Sequence, residues 1–176
     1  MNAPTLIRIC RECAHGVYGV RQPTPAYGEA VARLLMGTAA TESLLVHRRQ
    51  MGFSLDRLDG AWGIWQTEQG AVGDNIGYLR RRADVLKSAS RFVYGDEGEL
   101  LAVLTMGTQG LLKLIRDDDR FACLMARVHY LRVSEAVPDD LRGQAGYWKR
   151  YYNTRLGKGT VEGYMEKWRA LVEPAL

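Results

Sequence analysis

Between Ala26 and about His47 the sequence carries a long apolar run, with Val31, Leu34, Leu35, Ala39, Leu44 and Leu45, interrupted by the small residues Gly37, Thr38, Ala39 and Ala40. Small side chains let neighbouring elements approach closely, so the run reads as a helix buried on most of its surface. It also holds one carboxylate, Glu42, in the stretch Met36-Gly37-Thr38-Ala39-Ala40-Thr41-Glu42-Ser43. An ionised carboxylate is costly to bury. If Glu42 faces a cleft there, its pKa should rise and it could hold a proton near neutral pH, as a general acid must. The alternative is that it points to solvent or pairs with His47 or Arg48.

The rest of the chain is mostly helical in pattern. Residues 4–15 place Leu6, Ile7, Ile9, Cys10 and Cys13 at spacings that fit one helix face. Pro23 and Pro25 then break the chain. Residues 48–75 contain Gly52, Gly60, Gly63, Gly70 and Gly73 and have weak periodicity. They read as loops with a short extended stretch, followed by a helix from about Asp74 that Asp74-Asn75 caps and that runs through Tyr78, Leu79, Ala83, Val85 and Leu86. Residues 97–115 read as a hydrophobic helix weakened or broken near Gly107 and Gly110. Asp117 to Asp119 is a turn or helix start, and Arg120 to Val133 a second buried helix. After Pro138, Asp139 precedes a helix with Tyr147, Trp148 and Tyr151. A Gly-rich turn, NTRLGKGT, leads to a final amphipathic helix from Val161 to Val172. Strand signals are few and short. With 176 residues and no internal repeat or linker, the expected fold is mainly α in a single domain over 1–176, large enough to bury roughly two-thirds of its unfolded surface.

Charge and cysteine content narrow the function classes. A net charge of +4, from 24 basic and 20 acidic side chains, is a mild bias. Cell walls and nucleic acids are both polyanionic, so its sign does not choose between them. The positive charges are dispersed, with no recognisable reader motif, and no nucleic acid is expected as a partner. The run Arg80, Arg81 and Arg82 is splayed around its helix and reads mainly as a solvated face. Three cysteines, Cys10, Cys13 and Cys123, include one CxxC pair. A single CxxC does not complete a four-cysteine zinc site, and the odd count argues against a disulfide framework, so the thiols read as buried side chains and no metal is expected. No segment reaches the ~18 apolar residues of a membrane span. The opening MNAPTLIRICREC lacks the layout of a signal peptide.

About twenty residues after Glu42 comes Gly60-Ala61-Trp62-Gly63-Ile64-Trp65-Gln66. TAATES followed by GAWGIWQTE resembles the ES…G(L/I)(M/W/F)Q pairing of lytic transglycosylases and goose-type lysozymes. It further resembles phage-encoded wall-degrading proteins, whose tail pattern is similar to Tyr147-Trp148-Lys149-Arg150-Tyr151-Tyr152-Asn153-Thr154 and Leu156-Gly157-Lys158-Gly159-Thr160 here. The match covers roughly residues 36–68, and more weakly 147–160. It implies a lysozyme-like helical domain in which the loop-rich segment, about 48–75, forms one cleft wall.

The resemblance implies that Glu42 protonates the glycosidic oxygen of a β-1,4-linked amino-sugar polymer, the glycan strands of peptidoglycan, without any cofactor. Gln66 matches a glutamine that shapes the site and bonds substrate, or else holds loop backbone. Tyr130 falls near the place of a helix tyrosine of transglycosylases, although the usual Ala-Tyr-Asn-Ala-Gly is missing around it. Tyr152-Asn153 supplies a second Tyr-Asn pair. Trp62 and Trp65 are expected to line a sugar groove, since pyranose rings pack well on aromatic faces. Tyr78, Tyr147, Trp148, Tyr151 and Tyr152 are further candidates, with Trp148 more readily a core residue. Inverting hydrolases hold two carboxylates ~6.5–9.5 Å apart. The best second acid is Glu68, where goose-type lysozymes carry an aspartate. Asp56, Asp59 and Asp74 are lesser candidates. Transglycosylases use one acid and leave an anhydro sugar, so the product stays open. The implied location is a phage virion, or a host cytoplasm with delivery to the periplasm. The rival expectation is a virion protein, of tail or internal core, that keeps the fold with little or no activity and contacts other virion proteins.

Overall fold

The structure, a computed structural model, describes residues 1–48, 60–153 and 157–176. It is mainly helical, with nine α-helices among the described residues. Helix α1 spans Ala3–Gly16 and α2 spans Pro25–Ser43. A two-stranded hairpin of β1, Ala61–Trp62, and β2, Thr67–Glu68, precedes α3, Gln69–Arg81, and α4, Ala83–Tyr94. Then follow α5, Glu99–Val103, α6, Thr108–Asp117, and α7, Asp119–Leu131. Helix α8, Leu141–Trp148, runs into a π-helical turn, Lys149–Asn153, and α9, Val161–Leu171, packs back on the bundle.

Two helices form the centre. Thr24 caps α2 by accepting from the Tyr27 N–H, and Pro25 sits in its first turn. From Ala30 to Ser43 only Arg33 and Glu42 escape full burial. Helices α1, α7, α8 and α9 surround it. Its small residues admit neighbours as the sequence suggests: a Cβ on Gly37 would lie 2.0 Å from the Tyr164 hydroxyl of α9. Asp118 caps α7 by accepting from the N–H groups of Arg120 and Phe121, and every residue from Phe121 to Val128 is buried. Cys10, Cys13 and Cys123 meet between α1 and α7 as free, fully buried thiols. Burial pushes their pKa values up and keeps them protonated.

Two local expectations need correction. The helix after the hairpin starts at Gln69, not near Asp74, and Glu68 precedes it without a side-chain cap bond. Asp74 and Asn75 therefore lie inside α3 and cap nothing. Asp74 pairs with Arg132 at 2.6 Å. Asn75 is fully buried, where its amide donates to the Met125 carbonyl at 2.9 Å and accepts from Arg132 at 3.0 Å. The helix also ends at Arg81, and Arg82 (φ −125, ψ 80) starts α4 in a new direction. The break near Gly107 occurs as expected, whereas Gly110 lies inside α6.

Asn75 joins α3 to α7 through a buried polar link. Removing it takes away both buried bonds of this link, although Arg132 keeps Asp74 and the Met125 oxygen stays within the helical ladder of α7. Asn75→Ala is expected to cost about 1–2 kcal/mol. The check is a urea titration in which the midpoint falls while the slope stays unchanged.

The hairpin is what matters for the site. Ala61 pairs with Glu68 and Trp62 with Thr67. Gly63, at φ +74, turns the chain where a Cβ would come within 2.6 Å of the Ile115 carbonyl oxygen, so only glycine fits. The Trp65 indole N–H donates to the Leu35 carbonyl of α2 at 2.9 Å. The hairpin is thereby fixed against the helix that carries Glu42.

Candidate functional site

Glu42 lies in the last turn of α2, which stops at Ser43 because Leu44 and Leu45 adopt left-handed φ values of 53° and 63°. Its carboxyl is half-buried, and Oε1 accepts from the Trp148 indole N–H at 2.8 Å. Burial pushes the Glu42 pKa above its ordinary value. The charge of Glu68 adds to the rise, while Trp148, Lys167 and Asn153 favour the carboxylate and limit it. The negative end of α2 opposes ionisation as well. Lys167 is held in place by donating to the Thr41 carbonyl at 2.9 Å.

The carboxyl opens into a cleft of about 530 Å³. One wall is the hairpin segment, with Ala61, Gln66, Thr67 and Glu68, continued by Ala71 of α3. The other is formed by His129 of α7, Tyr152 and Asn153 of the π-helical turn, and Gly157 and Lys158 beyond it. Glu68 is exposed on the lip of the first wall. Gln66 stands at φ +49, and its amide nitrogen donates to the carbonyls of His47 (3.1 Å) and Gly63 (2.8 Å). These bonds are the loop-holding role, and Gln66 also lines the cleft. Tyr152 donates to the Trp65 carbonyl at 2.8 Å and so ties the two walls together. Among the described residues, the non-glycine residues at left-handed φ are Leu44, Leu45 and Gln66. Two directly follow the Glu42 helix and one lines the cleft, a concentration of strain common at functional sites.

Four of the expected residues besides Glu42 thus come together in the cleft: Glu68, Gln66, Tyr152 and Asn153. Three do not. Trp62 and Trp65 are 1% and 0% exposed, so they offer no face to a sugar and are core residues of the hairpin. Tyr130 is 2% exposed and shares a 2.8 Å hydrogen bond with Thr38 on α2. It feels the charge of Glu42 but from inside the core, and does not line the cleft. Asp74 is spent on Arg132. Asp56 and Asp59 lie outside the described residues.

Sequence reasoning passed over His129 and underrated Trp148. His129 bonds the Tyr151 carbonyl through Nε2 at 2.7 Å, and burial lowers its pKa, so it is neutral at pH 7 with the proton on Nε2. Nothing local in FACLMARVHYL marks this histidine as a cleft residue. Among the described residues no three His, Cys, Asp or Glu side chains are grouped to hold a metal ion, and no helix is long and apolar enough to cross a membrane.

A second hollow, about 440 Å³, is bordered by Glu12, His15, Phe92 and Arg120. It is shallow and mostly apolar, and Arg120 is already paired with Glu12 and with the Phe92 carbonyl. Compared with family models, curated proteins and solved structures, the chain matches none.

Proposed function

We propose that this chain cleaves β-1,4 glycosidic bonds in the glycan strands of bacterial peptidoglycan, on a lysozyme-like helical fold, with Glu42 as general acid. One observation carries the reading: a half-buried carboxyl whose pKa is raised opens from a helix end into a cleft walled by the glycine-tryptophan hairpin. A carboxylic acid that keeps its proton toward neutral pH can hand it to a glycosidic oxygen as the bond breaks. The sugar carbon then carries positive charge. Glu68, the second carboxylate lining the same cleft, is the group suited to steady that charge or to orient water. Its negative field also makes a second charge at Glu42 costly, which keeps the proton where the reaction needs it. Gln66, Asn153 and Lys158 supply polar contacts along the groove, and Tyr152 its aromatic surface. The resemblance of these motifs to those of phage wall-degrading proteins supports a host cell wall as the substrate and a virion or lysing cell as the place of action.

Incubation with purified peptidoglycan, followed by mass spectrometry of the soluble fraction, tests the proposal. Released muropeptides are expected. Reducing-end sugars would mean hydrolysis. Anhydro ends would mean that the substrate's own groups complete the reaction. Peptidoglycan left intact by folded protein would sink the reading.

A further inference from the structure

The strongest unassigned feature is the pair of side chains that faces the Glu42 carboxyl from the end of α8. We infer that Trp148 and Asn153 are a positioning pair for Glu42, a bonded indole N–H and a neighbouring amide that the π-helical turn brings to face one carboxyl. The inference deepens the proposed function and rests on it for its catalytic meaning.

In an α-helix, side chains five residues apart point about 140° away from each other. The turn at Lys149–Asn153 is π-helical, with bonds between residues five apart, so Trp148 and Asn153 fall on one side. The Trp148 N–H reaches Oε1 of Glu42 at 2.8 Å, and Asn153 lines the same cleft, where its side chain favours the charged carboxyl. Lys149 fixes the orientation of Asn153. Its ammonium donates to Asn153 Oδ1 at 2.9 Å and to the Gly157 carbonyl at 2.8 Å, which leaves the amide NH₂ for Glu42. The Gly157-Lys158-Gly159 turn closes against both donors. A Cβ on Gly157 would lie 2.3 Å from Asn153 Oδ1, and one on Gly159 would lie 2.4 Å from the Trp148 ring. Behind Trp148, Tyr164 stacks at 5.3 Å between centroids. Trp148 has no exposed surface, so its single donor is spent on Glu42.

The other groups around Glu42 are Lys167 on α9, Glu68 in β2, His129 and Tyr130 on α7, and Tyr152 and Lys158 on the far wall. Substituting Trp148 by Phe leaves all of them in place. It keeps an aromatic ring beside Tyr164 but removes the indole N–H together with the outer ring edge that meets Gly159, so the Trp168→Phe control below measures what the loss of ring volume alone does.

The test is a carbon-13 NMR titration of the Glu42 side-chain carboxyl in the full chain, run beside peptidoglycan cleavage. Both residues favour the charged form, so Trp148→Phe is expected to move the Glu42 titration upward by roughly one to two pH units, since a hydrogen bond to a charged group is worth about 1.5–3 kcal/mol. The alkaline limb of the cleavage profile should move with it, and kcat should fall more than KM changes. Asn153→Ala should shift the titration in the same direction by less. Trp168→Phe, a buried indole on α9 without a bond to Glu42, should leave it in place. A Glu42 titration unchanged in both the Trp148 and Asn153 variants overturns the inference. If the titration shifts while even the unmodified protein fails to cleave peptidoglycan, the proposed activity falls and the two-donor arrangement stands.

Discussion

Glu42→Gln is expected to lower the release of soluble fragments from purified peptidoglycan by at least about a hundredfold, the low end of what a general acid contributes, while the protein becomes more stable at neutral pH. The amide cannot give up a proton, but it keeps the shape of the side chain and an oxygen for the Trp148 N–H. The stability gain follows from the raised pKa of Glu42 in the folded chain. A carboxyl that binds its proton more tightly when folded contributes stability that is fully present below its ordinary unfolded pKa. That contribution is lost as pH rises through the folded value. At neutral pH the native chain bears the cost of a partly desolvated carboxylate, and the glutamine variant does not. The gain is expected as a higher melting temperature at neutral pH. It should shrink as the melts are repeated at lower pH. Activity of the native chain should fade over the same pH range, because the acid loses its proton there. Undiminished cleavage by the variant would move the acid elsewhere. A virion role without catalysis would show as particle assembly that the substitution leaves intact.

How much of this was legible depends on whether a residue's neighbours are local. The apolar spacing in 4–15, 26–47, 120–133 and 161–172 marks α1, α2, α7 and α9 to within a few residues, because each buries a face defined by its own sequence. Glu42 was visible for the same reason: it is a charge inside an apolar run. Asn75 was misread because it looks like a cap, yet its partner is a carbonyl fifty residues away. Trp62 and Trp65 show a deeper ambiguity. A tryptophan that stacks on sugar and one that fills a core have the same local sequence, and here the Leu35 carbonyl draws the Trp65 indole inward. Trp148 is the converse. It is a core residue, as its pattern suggests, but its one polar atom faces Glu42, and the π-helical turn that pairs it with Asn153 leaves no mark in YWKRYYN.

Gly37→Ala sets two effects of opposite sign against each other. Within a helix, alanine is favoured over glycine by about 1 kcal/mol, so propensity alone would stabilise the variant. Packing opposes it. The added Cβ would lie 2.0 Å from the Tyr164 hydroxyl and 2.3 Å from Cζ of its ring. Neither side can yield cheaply: Gly37 lies in the fully buried part of α2, and Tyr164 is 0% exposed, donates to the Leu34 carbonyl and stacks on Trp148. Seating the methyl means lifting α9 from α2 or forcing Tyr164 off its rotamer. Overpacking of this kind costs ~1–3 kcal/mol and occasionally more, and contact at the ring itself puts the expected net loss near the top, at about 3 kcal/mol. That is a fall of ~6–12 °C in melting temperature. Because Tyr164 backs Trp148, the surviving folded fraction should also cleave peptidoglycan more slowly. Tyr164→Leu vacates the contested space, so the double variant should be less destabilised than the sum of the two single ones, a coupling that a double-mutant cycle measures. A Gly37→Ala protein more stable than the native chain would mean that propensity wins, and that α9 does not sit on α2 where Trp148 and Glu42 need it.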